Sequence, residues 1–260
     1  MDPQRLSTGI AELDASLHGG FIRGRSYLVT GDAGTGKTVA CLQFLRNALQ
    51  QGEKAVYVTV DERPAEILES AASFSWDLQR HIQGKDLLIL DASPYFGARS
   101  AGGGEKGIDP QKIVADLGSY ARRLAATILI IDPITPLVLP SDPTSQDLTR
   151  SLVQLIHSQF NTTNLFTAHL APSPADLGAV GAIEFLASGV LVLENRARGG
   201  KYQRTLRIKK MRGTAVASAL YSFAFVGDRG IVLLDGPGPT ESALQKEPDM
   251  FELFDLSEKP

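Results

Sequence analysis

The sequence predicts an α/β fold with a central, mainly parallel sheet flanked by helices, followed by a C-terminal antiparallel meander. Two observations support this fold class. Short apolar, β-branched runs alternate with segments of helical spacing between residues 26 and 169. From residue 190 onward, strand-like runs follow one another through short turns. The first pattern predicts right-handed crossovers within a single open sheet, and the second predicts hairpins.

The composition is that of a globular chain with one large or two small domains. The 260 residues are 43% hydrophobic and 21% charged, and their formal net charge is -3. This charge does not suggest a dedicated nucleic-acid binder. No apolar stretch reaches the length of a transmembrane helix or resembles a signal peptide, and the single Cys41 fits a reducing compartment. We therefore expect a cytoplasmic protein.

The first strand, over residues 26–30, leads into a complete phosphate-binding motif. A helical pattern follows it, with Cys41, Leu42 and Leu45 on one apolar face. The motif G-x-x-x-x-G-K-[ST] is formed by Gly31, Asp32, Ala33, Gly34, Thr35, Gly36, Lys37 and Thr38. A glycine-rich loop between a strand and a helix directs backbone N–H groups at a polyphosphate. Lys37 would reach the β- and γ-phosphates and the Thr38 hydroxyl would bind Mg²⁺, so we expect a nucleoside triphosphate site.

The second strand, over residues 55–60, ends in Asp61 and Glu62. Carboxylates at the end of this strand would point to the same crevice and could orient and deprotonate the attacking water. A solvated acidic pair at the end of a strand is the alternative. A third strand covers residues 87–91, and residues 97–107 are expected to form a glycine-rich loop.

Two further helices and two further strands complete the predicted parallel core. Asp109-Pro110 should open a helix that ends near Ala125, and Asp142-Pro143 another that ends near Phe160. The fourth strand, residues 127–132, ends in Asp132 and forms a Walker B pattern. Its carboxylate would hold Mg²⁺ through a water molecule. Residues 164–169 form the fifth strand.

The meander is predicted over residues 190–195, 203–212, 219–226 and 231–234. Its basic residues allow three interpretations: nucleic-acid binding, a solvated hairpin face, or contact with the ATP of a neighbouring subunit. The cluster comprises Arg196, Arg198, Lys201, Arg204, Arg207, Lys209, Lys210 and Arg212. We assign residues 1–236 to one ATPase domain. Residues 237–260 are Pro-rich and acidic, and they are predicted to be a disordered tail that could contact a protein partner.

Several motifs together resemble the KaiC family of RecA-like P-loop ATPases. The N-terminal stretch over residues 6–20 leads into the phosphate-binding loop as in that family. Residues 72–78 are similar to a further family stretch, although Ser75 stands where glycine is usual. Residues 181–190 also match, and the most specific match is Lys210-Met211-Arg212-Gly213-Thr214. The resemblance covers approximately residues 5–236.

The resemblance implies catalytic roles for four side chains. Asp61 and Glu62 match the paired catalytic carboxylates of the family. Lys210 and Arg212 match basic residues that reach the γ-phosphate of the neighbouring subunit. The implied assembly is a hexameric ring with ATP between subunits. Asp61 in place of the usual Glu and Pro133 in place of a small polar residue are departures that bear on the turnover rate.

The expected function is therefore that of a slow, Mg²⁺-dependent ATPase with a regulatory or signalling role. A non-hydrolysing, ATP-sensing scaffold is an alternative. An autophosphorylating kinase is a second, although Glu184 and Phe185 lie near the position of the family's phosphorylated Ser-Thr pair and carry no hydroxyl. A recombinase-type DNA-binding ATPase is the third alternative. It is disfavoured because residues 136–142 and 171–179 contain no Lys or Arg.

Overall fold

The computed structural model describes residues 3–93, 110–134, 151–169 except 152 and 157, 177–198, 201–216 and 220–234. The strands are β1 (Arg5–Leu6), β2 (Phe21–Ile22), β3 (Ser26–Gly31), β4 (Ala55–Thr59), β5 (Leu87–Asp91), β6 (Ile128–Asp132), β7 (Thr163–His169), β8 (Gly189–Arg198), β9 (Lys201–Met211), β10 (Leu220–Val226) and β11 (Gly230–Leu233). The helices are α1 (Ala11–Ser16), α2 (Lys37–Gln50), α3 (Pro64–Ala72), α4 (Gln79–Gln83), α5 (Pro110–Leu124) and α6 (Leu177–Leu186).

The main sheet has nine strands in the order β11-β10-β9-β8-β3-β7-β6-β4-β5. The six strands from β8 to β5 in this order are parallel, and β9, β10 and β11 extend the sheet as an antiparallel meander. The predicted fold class is therefore confirmed. The carboxyl ends of the parallel strands lie along one side of the sheet, and that of β3 is near the middle of this side. We call this the carboxyl edge.

The predicted strands agree with the observed ones to within a few residues. The predicted hairpins are confirmed, since Arg198 pairs with Lys201 across β8 and β9 and a 3₁₀ turn at Gly227–Arg229 joins β10 to β11. The predicted helix beginning at Pro110 is α5. Helical residues near 151–159 agree with the end of the predicted helix, but its beginning at 142 lies outside the described residues. The loop over residues 97–107 and the tail over 237–260 lie outside them too.

Side chains on alternating positions of the parallel strands form a core on each face of the sheet. In β4, for example, Tyr57 belongs to one core and Val56 and Val58 belong to the other. The helix α2 packs on the first face with β1 and the meander, while α5 and α6 pack on the second. Burial on both faces explains why these strands read as continuous apolar runs and not as alternating ones.

Gln43 connects the helix after the phosphate-binding loop to two distant segments. Its side-chain amide donates to the Gly9 carbonyl at 2.8 Å and to the Ile231 carbonyl at 3.1 Å. Its carbonyl oxygen accepts from the Ile231 N–H at 2.7 Å. The N-terminal segment and the last strand of the meander are thereby fixed to α2. Within the described part of the chain, no helix has the length and apolar character needed to cross a membrane.

Candidate functional site

The phosphate-binding loop lies at the carboxyl edge, between the end of β3 and the first residue of α2. Gly36 has φ +102°, and a Cβ there would approach Cζ of Phe225 to 2.5 Å. A Cβ on Gly31 would lie 2.3 Å from the carbonyl oxygen of Leu193 in the neighbouring strand. Packing therefore favours glycine at both positions, and at Gly36 the left-handed backbone conformation favours it as well.

Lys37 is held inside the loop by backbone carbonyl groups. Its Nζ donates to the carbonyl oxygens of Gly31 and Asp32, both at 2.9 Å, and only 7% of the residue is exposed. Burial lowers the pKa of Lys37, and the nearby Asp132 partly opposes this shift. The buried Thr35 closes the loop, since its hydroxyl donates to the Asp32 carbonyl at 2.8 Å. The ammonium group is thus positioned at the centre of the loop, where a phosphate chain would replace the carbonyl contacts.

Asp132 occupies the end of β6 and is oriented by two hydroxyl groups. The Tyr57 hydroxyl donates to its Oδ2 at 2.6 Å, and the Thr167 hydroxyl donates to its Oδ1. The residue is 5% exposed. Three neighbouring strands therefore fix the direction of this carboxylate, which borders the same cavity as Thr38.

Asp61 and Glu62 follow the end of β4 and border this cavity as well. The Glu62 carbonyl accepts a 2.6 Å bond from the Thr59 hydroxyl, which fixes the turn after the strand. Burial raises the pKa of both carboxyls, and the negative charge of Asp132 adds to the rise in each case. A carboxylate with a raised pKa is a stronger base, so the pair is suited to accept a proton from water.

The cavity is about 480 Å³ in volume and brings most of the predicted site together. It is lined by Ala33, Gly34, Gly36, Lys37, Thr38, Asp61, Glu62 and Asp132, with Val39, Pro133, His169 and Phe225. Four of these were not among the sequence-predicted site residues. Val39 and Pro133 directly follow the predicted Thr38 and Asp132, whereas the motifs do not explain His169 and Phe225. His169 lies at the end of β7, beside the phosphate-binding strand, so the reasoning applied to Asp132 could have identified it.

Lys210 and Arg212 lie away from this cavity, toward the opposite edge of the sheet. The Arg212 N–H donates to the Ser188 carbonyl at 2.6 Å, and the Ser188 N–H donates to the carbonyl of Ser26, the first residue of β3. Gly31 lies five residue steps along the extended strand from Ser26, which corresponds to about 17 Å. The two cations are close together, because both donate to the Phe185 carbonyl at 2.9 and 3.0 Å.

The oxygen atoms near the loop suit a magnesium ion. Mg²⁺ is typically held by one or two protein oxygens together with phosphate oxygens and water. Thr38 and Asp132 provide a hydroxyl and a carboxylate within one cavity. Among the described residues, no group of three or more His, Cys, Asp or Glu side chains is arranged to hold a metal without such a co-ligand. This donor set fits a cation that binds together with a nucleotide.

Comparison with known proteins identifies the family. The model of the family described as "ATPase: KaiC" matches residues 6–237. The chain belongs to the KaiC ATPase family. The circadian clock oscillator protein KaiC of Parathermosynechococcus lividus is 34% identical over 225 residues, which are 85% of this chain and 41% of that protein. The KaiC of Parasynechococcus marenigrum is 32% identical over 235 residues, 89% of this chain and 45% of that protein.

A solved structure supports the same assignment. The crystal structure of a KaiC-like protein from the archaeon Pyrococcus horikoshii superposes with a TM-score of 0.75 at 27% identity. The match covers 90% of this chain and 100% of the archaeal one. The KaiC-type, RecA-like fold is thereby established. The chain spans less than half the length of the two clock proteins described above.

Proposed function

We propose that this KaiC-family chain is a Mg²⁺-dependent ATPase of slow turnover that acts as a ring, most simply a homohexamer, with ATP between subunits. One observation carries the proposal. The phosphate-binding loop, Asp132 and the Asp61-Glu62 pair share one cavity, whereas Lys210 and Arg212 lie toward the other edge of the sheet. Among the described residues that line this cavity, Lys37 is the only lysine or arginine, and in the proposal the second group supplies further positive charge to the site of a neighbour.

In the proposed binding mode, the loop N–H groups and Lys37 hold the phosphates of ATP. Thr38 and Asp132 would hold the Mg²⁺ ion, which neutralises phosphate charge when bound. The hydrogen bonds from Tyr57 and Thr167 keep the Asp132 carboxylate in place, so little reorganisation is needed when the nucleotide arrives.

In the proposed hydrolysis, Glu62 or Asp61 orients a water molecule and accepts its proton. Their raised pKa values fit this role, because a general base is most effective when its pKa approaches the working pH. His169 stands between Asp61 and Lys37 and would position the acid relative to the γ-phosphate. The shorter side chain of Asp61 is consistent with slow turnover.

In the proposed ring, Lys210 and Arg212 contact the γ-phosphate on the next subunit. Both are anchored on the carbonyl at the exposed Phe185, which is 67% accessible and packs against the Arg212 guanidinium at 5.8 Å. Aromatic residues and arginine are enriched in protein interfaces, which suits Phe185 and Arg212. A non-hydrolysing, ATP-sensing scaffold is the second candidate, favoured by the short Asp61 side chain.

The test combines native mass measurement, with and without Mg²⁺-ATP, and phosphate release. We expect ATP to shift the mass to a closed oligomer and phosphate to be released slowly. Asp132→Asn should reduce the Mg²⁺ dependence of ATP binding. ATP-dependent assembly without phosphate release would select the scaffold, and absence of ATP binding would overturn both candidates.

A further inference from the structure

Phe225 is the second cavity residue that the motifs do not explain. It lies near the end of β10, which runs parallel to β3, so its side chain reaches the carboxyl edge beside the phosphate-binding loop. The half-buried ring meets the loop at Gly36, where any Cβ would collide with it. Among the described residues that line the cavity, Phe225 alone carries a phenyl, phenol or indole ring.

Other aromatic rings hold Phe225 in position. Phe223 and Phe74 approach it edge to face, with centroid separations of 5.6 and 6.2 Å. Phe74 in turn stacks on Trp76 at 4.9 Å, and the Trp76 indole N–H donates to the Asp228 carbonyl at 2.6 Å. The orientation of the Phe225 ring is therefore fixed by packing, and a ligand that stacks on it loses little side-chain entropy by doing so.

Arg204 covers Phe225 with a planar cation. Its guanidinium carbon lies 4.9 Å from the ring centroid, and the residue is exposed. Guanidinium groups stack on aromatic rings and on nucleobases alike. The pair therefore presents two flat surfaces beside the loop, while the acidic groups Asp61, Glu62 and Asp132 line the part of the cavity suited to phosphate and metal chemistry.

We propose that Phe225, together with Arg204, forms the platform on which the nucleobase of the bound triphosphate stacks. The inference rests on the proposed nucleotide function and adds which end of the cavity receives the base. Stacking uses the π-face that every base has, so this platform provides affinity for nucleotides over bare polyphosphate. It provides little discrimination between adenine and guanine.

Calorimetric titration with Mg²⁺-ATP and with Mg²⁺-tripolyphosphate, which has no base, separates this role from phosphate binding. Phe225→Ala should weaken ATP binding about tenfold or more, while tripolyphosphate binding stays within about twofold of wild type. Phe225→Trp should retain ATP affinity because a larger ring still stacks. Tyr120→Ala, which removes an aromatic side chain from a different cavity, is the matched control and should leave both affinities unchanged.

The titrations distinguish base stacking by Phe225 from a role in supporting the loop and from a failure of the proposed function. Equal ATP affinity of Phe225→Ala and wild type would overturn the base platform and leave the proposed function intact. A parallel loss of both ligands in Phe225→Ala would also overturn it, since the ring would then act only by supporting the loop. If wild type bound neither ATP nor tripolyphosphate, the proposed function itself would fail.

Discussion

Nε2 of His169 lies 4.0 Å from Oδ2 of Asp61, although β7, which ends at His169, and β4, which Asp61 follows, are separated in the sheet by β6. The other ring nitrogen, Nδ1, lies 3.4 Å from Nζ of Lys37. Burial lowers the pKa of His169, and the positive charge of Lys37 adds to this effect. The imidazole is therefore neutral near neutral pH, so its Nδ1 can accept from the Lys37 ammonium, whereas the approach to Asp61 is longer than a hydrogen bond. The ring thus lies between the phosphate-binding lysine and an acid proposed to act in hydrolysis.

We predict that His169→Ala lowers the rate of phosphate release by about tenfold, equivalent to about 1.4 kcal/mol of activation free energy. ATP affinity should change far less than in Lys37→Ala, because the loop N–H groups and Lys37 remain. His169→Gln keeps a donor and an acceptor and should restore part of the rate. Calorimetry and a phosphate-release assay check the two quantities. If His169→Ala lost affinity as severely as Lys37→Ala, the imidazole would belong to the binding machinery.

The double variant Asp61→Asn, Glu62→Gln tests the general base. Amides keep the size of the side chains but cannot accept the proton of water, so phosphate release should fall by roughly 10²-fold or more. ATP should still bind, since phosphate contacts are made by the loop. Glu12→Gln is a suitable control because this carboxylate is exposed on α1, and its rate should stay at the wild-type value. An undiminished rate in the double variant would return the pair to a structural role.

The same double variant should change how stability depends on pH. The pKa values of both carboxyls are raised above their ordinary values of 3.8 and 4.5, mainly by burial. The folded chain thus binds these protons more tightly than the unfolded chain, and wild-type stability falls as pH rises through the raised pKa values. The amides cannot ionise. In thermal melts without nucleotide, the variant should exceed wild type in Tm near about pH 7.5 and by much less near about pH 4.5. An equal difference at the two pH values would contradict this origin.

Gln43 is expected to be more important for stability than its polar side chain suggests. It is buried and makes three hydrogen bonds that join α2 to Gly9 and Ile231. Gln43→Leu has a similar size but leaves the Ile231 N–H and two carbonyls without these partners. We predict a loss of about 2–4 kcal/mol in the free energy of unfolding, since each orphaned buried group costs about 1–3 kcal/mol. Gln50→Leu, at the exposed end of the same helix, is the control for denaturant titrations and should be nearly neutral.

The parallel core could be predicted from sequence because its signals are local. Buried strands show as apolar runs, and the phosphate-binding loop is a continuous motif. Asp132 and the Asp61-Glu62 pair could be placed at the carboxyl edge, because each follows directly on such a run. The short pair β1 and β2, with two residues each, has no periodicity to detect, and no helix was predicted over Leu177–Leu186. The sequence of this helix is apolar with two glycines and has no amphipathic pattern.

The residues that sequence reasoning missed depend on contacts between distant segments. Phe225 reads as an ordinary strand residue, and its position beside Gly36 follows only from the pairing of β9 and β10. The basic cluster of the meander is likewise continuous in the sequence but not in the fold. Its antiparallel hairpin separates Arg204 at the carboxyl edge from Lys210 and Arg212 toward the other. The register of the hairpin thus places residues of one sequence cluster at opposite ends of the strands.

The position of Lys210 and Arg212 leads to the last prediction, which concerns catalysis across the subunit interface. Burial, together with the nearby Arg212, lowers the pKa of Lys210, and both side chains are fixed on the Phe185 carbonyl. If they stabilise γ-phosphate charge only on a neighbour, Arg212→Ala should be inactive alone, as should Lys37→Ala. Mixed rings contain some interfaces where an intact loop faces an intact Arg212, so mixing the two variants should restore part of the phosphate release.

The mixing experiment has a matched control and a clear opposite result. Arg123→Ala removes an exposed arginine from the end of α5 and should retain full activity alone, which shows that loss of a surface cation is not enough to abolish turnover. Native mass measurement confirms that mixed rings form. If they form at all ratios without recovery, Arg212 does not act across an interface. Because about 17 Å of strand also separates it from its own loop, Arg212 would then serve partner binding or the packing around Phe185.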